Sequence, residues 1–183
     1  MLLAVVVLAL VGSACGTNIE QGTPDAGGST DTPTETGSPA PAAKLVREQP
    51  AGCTVAATND LTKKPEITIP DCTPSTDLIA VDLVVGTGAE LKGGENATIH
   101  YVGVSWSNKE QFDASWDRNE PFTTTIPGSL IDGWNEGIPG MKVGGRRLLI
   151  IPSSKGYGPS GQGPIGPNET LVFVVDLKDL AAA

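Results

Sequence analysis

Asp132-Gly133-Trp134-Asn135-Glu136-Gly137-Ile138 is the one stretch of this 183-residue chain that reads as a helix. It is short, acidic near its start, and closed by Gly137 and Pro139. Its surroundings read as strands. Phe122 to Ile126 is β-rich and stopped by Pro127-Gly128, and Arg146 to Ile151 ends at Pro152. Further out, Leu78 to Val85 ends at Gly86-Thr87-Gly88, Thr98 to Val104 alternates, and Thr170 to Leu177 is again β-rich. One short helix among five strands predicts an α+β domain. An antiparallel sheet should wrap over the helix with one face buried, and Trp134 should turn toward that face. Between the last two strands, Pro152 to Asn168 is a long Gly/Pro loop, and loops of that length inside a compact domain are usually functional.

The composition narrows the function. All eight aromatic residues lie after residue 100, so the core-forming part is the second half. The net charge is −9, and no Lys/Arg stripe is available to displace counterions from phosphates, which excludes nucleic acid as the expected partner. No hydrolytic, redox or phosphate-cradling motif is present, and no cofactor or metal site is expected. The single histidine, His100, lies inside a strand with no Ser or Cys motif beside it and reads as structural or surface.

The N-terminal part reads as an address and a tether. Residues 1–14 hold an apolar run, Met1 to Val11, too short to span a bilayer, that fits a signal-peptide core. It ends in Gly12-Ser13-Ala14-Cys15, which resembles a bacterial lipobox with Cys15 as the lipidated residue. An ordinary secretory signal is the alternative. Gly12 stands where Leu is commonest, and no basic residue precedes the run, which points to a start codon further upstream. Residues 15–43 are rich in Thr, Pro, Gly and Ser and cannot bury enough surface to offset their chain entropy. They are expected to be a disordered tether reaching roughly 30 Å as a coil. Residues 44–77 carry Cys53 and Cys72. Two Cys in an exported chain suggest a disulfide, and the alternative of a metal site lacks a nearby His. That segment reads as a stapled extension packed on a domain running over residues 78–183.

Three groups of residues carry a family resemblance. Ile99-His100-Tyr101-Val102-Gly103, Phe112 to Arg118 and Pro121-Phe122 resemble the first half of an FKBP domain. Leu130 to Gly137 and Met141 to Gly144 resemble its helix and exit. Gly156-Tyr157-Gly158 and Thr170 to Phe173 resemble its last loop and strand. Each piece alone is weak, but together and in order they are specific.

The resemblance implies a peptidyl-prolyl cis-trans isomerase with an aromatic pocket. The matching catalytic positions are Phe112, Asp113, Trp134, Tyr157 and Phe173. The matching substrate-binding positions are Tyr101, Phe122, Leu130, Ile131 and Ile165, with Gln162 on the rim. Many family members carry His at the position of Gln162, which puts the rim contacts in question. Six of the eight aromatics fall on these positions, and Trp106 and Trp116 do not. The implied partners are proline-containing polypeptides, with tacrolimus or rapamycin as pocket ligands. No flap domain or dimerisation arm is evident, so a monomer is expected, held at the outer face of a bacterial membrane by lipid on Cys15. An FKBP-like binding or chaperone module with weak turnover is the alternative reading.

Overall fold

Leu148-Leu149-Ile150-Ile151 is apolar at every position, which suits a strand covered on both faces rather than one. The computed structural model, which describes residues 44–182, shows this arrangement. The strands are β1 (Leu45–Val46), β2 (Ala56–Ala57), β3 (Ile67–Thr68), β4 (Leu78–Val84), β5 (Glu95–Ser105), β6 (Gln111–Ala114) and β7 (Phe122–Ile126). The helix α1 (Asp132–Gly137) follows, then β8 (Arg146–Ile151) and β9 (Leu171–Ala181). The main sheet runs β1-β4-β8-β9-β5-β6, and β7 pairs with β5 beside β6. All its pairings are antiparallel except that of β1 with β4. The sequence-predicted α+β fold, an antiparallel sheet around one short helix, is the observed one. The expected signal peptide, Cys15 and tether lie outside the described residues.

The expectation of one buried face is corrected. Odd-numbered residues of β8 and β9 (Leu149, Ile151, Leu171, Phe173, Val175) face α1 and join Leu78, Ile99, Tyr101 and Trp134 in one core cluster. Even-numbered residues (Leu148, Ile150, Val172, Val174) point the other way, into a second cluster with Val102, Val104 and Trp106. That second face is covered by Val55 and Ile69, flanked by Val46, Cys53, Ile67 and Cys72. Residues 44–77 therefore supply the lid of the second core and, through β1, an edge strand of the main sheet. The Cys53–Cys72 disulfide is formed, and the Trp106 indole N–H donates to the Cys72 carbonyl at 3.2 Å.

Two adjacent arginines at the start of β8 fasten the two layers. The Arg146 side chain is fully buried on the outer face. Its Nε and Nη2 bind both carboxylate oxygens of Asp176, at 2.5 and 2.8 Å. Its Nη1 and Nη2 also donate to the carbonyls of Thr58 and Lys63 at 2.9 and 3.0 Å. Arg147 points to the inner face, pairs with Asp82 at 2.7 Å, and donates through Nη1 to the carbonyls of Gly137, Ile138 and Pro139. Those carbonyls end α1 and have no partner within the helix, so a guanidinium there both satisfies and electrostatically favours them.

Breaking a buried pair strands the remaining charge, which costs about 3–5 kcal/mol, whereas replacing both partners with apolar groups is often neutral. Arg146→Met is thus expected to lower the unfolding free energy in urea by that amount. The double variant Arg146→Met/Asp176→Leu is expected to recover much of the loss.

Candidate active site

The sequence brings the pocket together from three sets of elements, with the loops around residues 129–131 and 156–165 at its rim. Strands β5 and β9 present Tyr101 and Phe173 on the inner face, β6 and β7 present Phe112, Asp113 and Phe122 at the sheet's far end, and α1 presents Trp134. The cavity they enclose has a volume of about 780 Å³. All eleven residues singled out from the sequence line it: Tyr101, Phe112, Asp113, Phe122, Leu130, Ile131, Trp134, Tyr157, Gln162, Ile165 and Phe173. Ser129, Asp132, Gly156, Gly163 and Pro164 complete the lining.

The aromatic rings pack edge to face. Trp134 lies 5.2 Å from Phe173 at 82° and 5.3 Å from Tyr101 at 78°, and Phe112 lies 5.4 Å from Phe173 at 82°. Such pairs are favoured by the ring quadrupoles and hold each other in fixed orientation. Gly103 makes the Phe112–Phe173 contact possible, because a Cβ there would lie 2.6 Å from Phe112 and 2.8 Å from Phe173. Gly133 does the same for the floor. A Cβ at that position would lie 2.4 Å from Ile151, so glycine lets α1 sit down on β8. The short helix has no side-chain cap at Ile131. Asn135 compensates by binding Gly128 N–H and the carbonyls of Gly128 and Leu130, which ties the preceding loop to the helix.

One polar network lies in the pocket wall. The Tyr101 hydroxyl donates to Asp113 Oδ2 in a short hydrogen bond, and Arg118 reaches Asp113 Oδ1 at 2.6 Å and the Tyr101 oxygen at 3.1 Å. Burial alone pushes the Asp113 carboxyl up, but the hydrogen bonds from Tyr101 and Arg118 outweigh it and hold the group below its ordinary value. Burial, then the bond to Asp113, raises Tyr101, and burial, then the charge of Asp113, raises Tyr157. Asp113 is therefore a carboxylate and both tyrosines are neutral at ordinary pH. Neither the Ile131 N–H nor the Tyr157 hydroxyl donates a hydrogen bond among the described residues, so both donors are free at the cavity.

Trp106 and Trp116 lie away from the cavity. Trp106 fills the outer core, and Trp116 stacks on the buried His100 at 4.6 Å, with His100 Nδ1 3.0 Å from Ser115 Oγ. The Gly/Pro loop is more ordered than its composition suggests. It holds two 3-10 turns, Ser153–Lys155 and Gly158–Ser160, then a tight turn in which Gln162 and Ile165 exchange backbone hydrogen bonds at 2.9 Å. Gln162 is thereby exposed on the rim. Arg118 and Asp132 were not among the sequence-derived site residues. Both are polar positions inside recognisable motifs, and only three-dimensional proximity marks them.

The family model for FKBP-type peptidyl-prolyl cis-trans isomerases matches residues 88–178. A Corynebacterium glutamicum protein named "Probable FK506-binding protein" is 49% identical over 115 residues, which cover 63% of this chain and 97% of that protein. The chain belongs to the FKBP-type peptidyl-prolyl cis-trans isomerase family. The FK506-binding protein of Streptomyces anulatus is 47% identical over 118 residues, covering 63% of this chain and 95% of that protein. The crystal structure of AtFKBP13 superimposes with a TM-score of 0.54 at 36% identity, covering 59% of this chain and 96% of that one. FKBP proteins as a family bind FK506-type macrolides and proline-containing peptides. The relatives match about the length of the isomerase domain, so residues 1–87 fall largely outside the family match.

The depressed Asp113 group contributes stability above its unfolded value of about 3.9, and that contribution is lost as pH falls through the lower folded value. The carboxylate is 40% exposed, so solvent screening keeps the contribution near 1 kcal/mol. In denaturant unfolding, Asp113→Asn should fall short of the parent protein by that amount at pH 7, and the gap should close below about pH 4.

Proposed function

We propose that the chain is an exported peptidyl-prolyl cis-trans isomerase, anchored to the outer face of a bacterial membrane through lipid on Cys15. The observation that carries the catalytic part is a cavity walled by Tyr101, Phe112, Phe122 and Phe173 over Trp134. An X-Pro bond rotates slowly because twisting breaks amide resonance, a barrier of about 18–20 kcal/mol. The twisted amide has less charge separation than the planar one, so an apolar, water-excluding cavity favours it over the ground state. Trp134 is the floor under the prolyl ring, and Phe112, Phe122 and Phe173 wall it. Tyr101 closes one side. The free Ile131 N–H and Tyr157 hydroxyl hold substrate carbonyls, and Asp113, fixed by Tyr101 and Arg118, orients and polarises the site without exchanging a proton.

The binding-module alternative uses the same pocket without turnover. The intact aromatic set favours catalysis, and tacrolimus and rapamycin are the pocket ligands expected for it. A protease-coupled assay on a short proline peptide separates the two. Acceleration that is abolished by either drug supports catalysis in this cavity. Drug binding with no acceleration supports the module. Phe112→Ala and Asp113→Ala should each lower kcat/KM about tenfold or more, corresponding to at least ~1.4 kcal/mol of lost transition-state stabilisation. Unchanged turnover in both variants sinks the assignment.

Support for export is the apolar leader, the lipobox-like Gly12-Ser13-Ala14-Cys15, and a Cys53–Cys72 disulfide of the kind that persists in oxidising compartments. In cell fractionation, the parent protein should sediment with membranes and Cys15→Ala should move to the soluble fraction. An unchanged distribution counts against the anchor.

A further inference from the structure

The lining of the cavity carries two carboxylates, Asp113 and Asp132, and no basic side chain. The charge of Asp113 is answered by Arg118, which binds it at 2.6 Å. Asp132 differs. It is exposed and, among the described residues, has no ion pair, and its carboxylate accepts no hydrogen bond. Lys155, the residue before Gly156 of the lining, is held by both oxygens of Glu136, at 2.7 and 2.8 Å. The rim residues Ser129, Gln162, Gly163 and Pro164 are uncharged. The mouth therefore presents one negative charge that no cationic side chain pairs among the described residues, on a chain whose net charge is −9. Such a field attracts cations and repels anions over about a Debye length.

We infer that Asp132 is a specificity-determining residue, and that the pocket selects prolines flanked by Lys or Arg over prolines flanked by Asp or Glu. This rests on the isomerase reading above and names its substrate class. The apolar floor accepts any prolyl ring, so it does not discriminate between flanking residues. Discrimination falls to the rim, where substrate side chains emerge beside Asp132. A cationic side chain there gains an ion-pair partner that no side chain among the described residues occupies. An anionic one meets a like charge with no compensating group in the lining.

The test uses acetylated, amidated tetrapeptides with one proline, carrying Lys, Ala or Glu at each flanking position in turn. Turnover is read by NMR exchange, which avoids the sequence preference of a coupling protease, and binding of the same peptides is read by calorimetry. At about 10 mM salt, kcat/KM for the best Lys peptide should exceed that of its Glu counterpart roughly three- to fivefold, the range of an exposed ion pair. The ratio should fall toward one at about 0.5 M salt, where screening is nearly complete. Asp132→Asn should remove most of the preference and Asp132→Lys should reverse it. A Lys/Glu ratio of one at every position in low salt overturns the inference, as does a ratio that Asp132→Lys leaves intact. If no peptide is turned over but binding still follows charge through Asp132, the isomerase reading falls and the charge selection stands.

Discussion

Strand β9 is buried on both faces, and its period-two alternation decides the rest of the structure. Leu171, Phe173, Val175 and Leu177 go to the side of the helix and the pocket, and Val172, Val174 and Asp176 go to the side of the extension. A slip of one residue in its pairing with β5 or β8 exchanges the two sets completely. Phe173 would leave the pocket, and Asp176 would leave Arg146 buried without its carboxylate. The register is thus specified by hydrophobic burial on each side, together with the buried Arg146–Asp176 pair and its bonds to the extension. The same parity explains why Arg146 and Arg147, neighbours in sequence, serve opposite layers. One binds the extension through the Thr58 and Lys63 carbonyls, and the other binds the end of α1.

This division sets what is fixed and what is free to vary at the site. Trp134 stands on a helix of six residues, far too short to be stable alone. It is held from outside: by Arg147 at its C-terminal carbonyls, by Asn135 at the preceding loop, and by Gly133 resting on Ile151. Tyr101 and Phe173 stand on the two longest strands. The floor and back wall are therefore rigid, while Leu130, Ile131, Tyr157 and Gln162 sit on loops at the rim. A reaction that needs only shape and exclusion of water demands rigidity of the former.

Much of this was legible in the sequence, for physical reasons that also mark its limits. The five long strands and α1 were readable because each carries a strong β or helix signal, and most are ended by Gly or Pro, so that β7 and β8 begin and end where expected. β6 was missed because Gln111-Phe112-Asp113-Ala114 is short and half polar, and its strand character comes from pairing with β5. β1, β2 and β3 are two residues each and exist only through their partners. The second buried face had a signal that alternation alone hides: Leu148 to Ile151 and Leu171 to Val175 contain no polar residue. The pocket residues were legible only through the family resemblance, because in composition an aromatic pocket and an aromatic core look the same.

The segment from Gln111 to Arg118 shows how the extension reaches the site without touching a substrate. Its inner side carries Phe112, Asp113 and Arg118. Its outer side carries Trp116, stacked on His100 beside the outer core, and Asp117, bound to Lys64 of the extension at 2.5 Å. The Lys64–Asp117 pair is exposed and worth little by itself. The stacked Trp116 is the stronger hold, because removing its area from water contributes in proportion to that area and is not screened by salt. The outer core that Trp116 joins exists only because residues 44–77 cover it. The disulfide-linked extension thus supports the pocket wall mainly through apolar burial, and the wall's position depends on a layer that lies before the stretch matched by the family model.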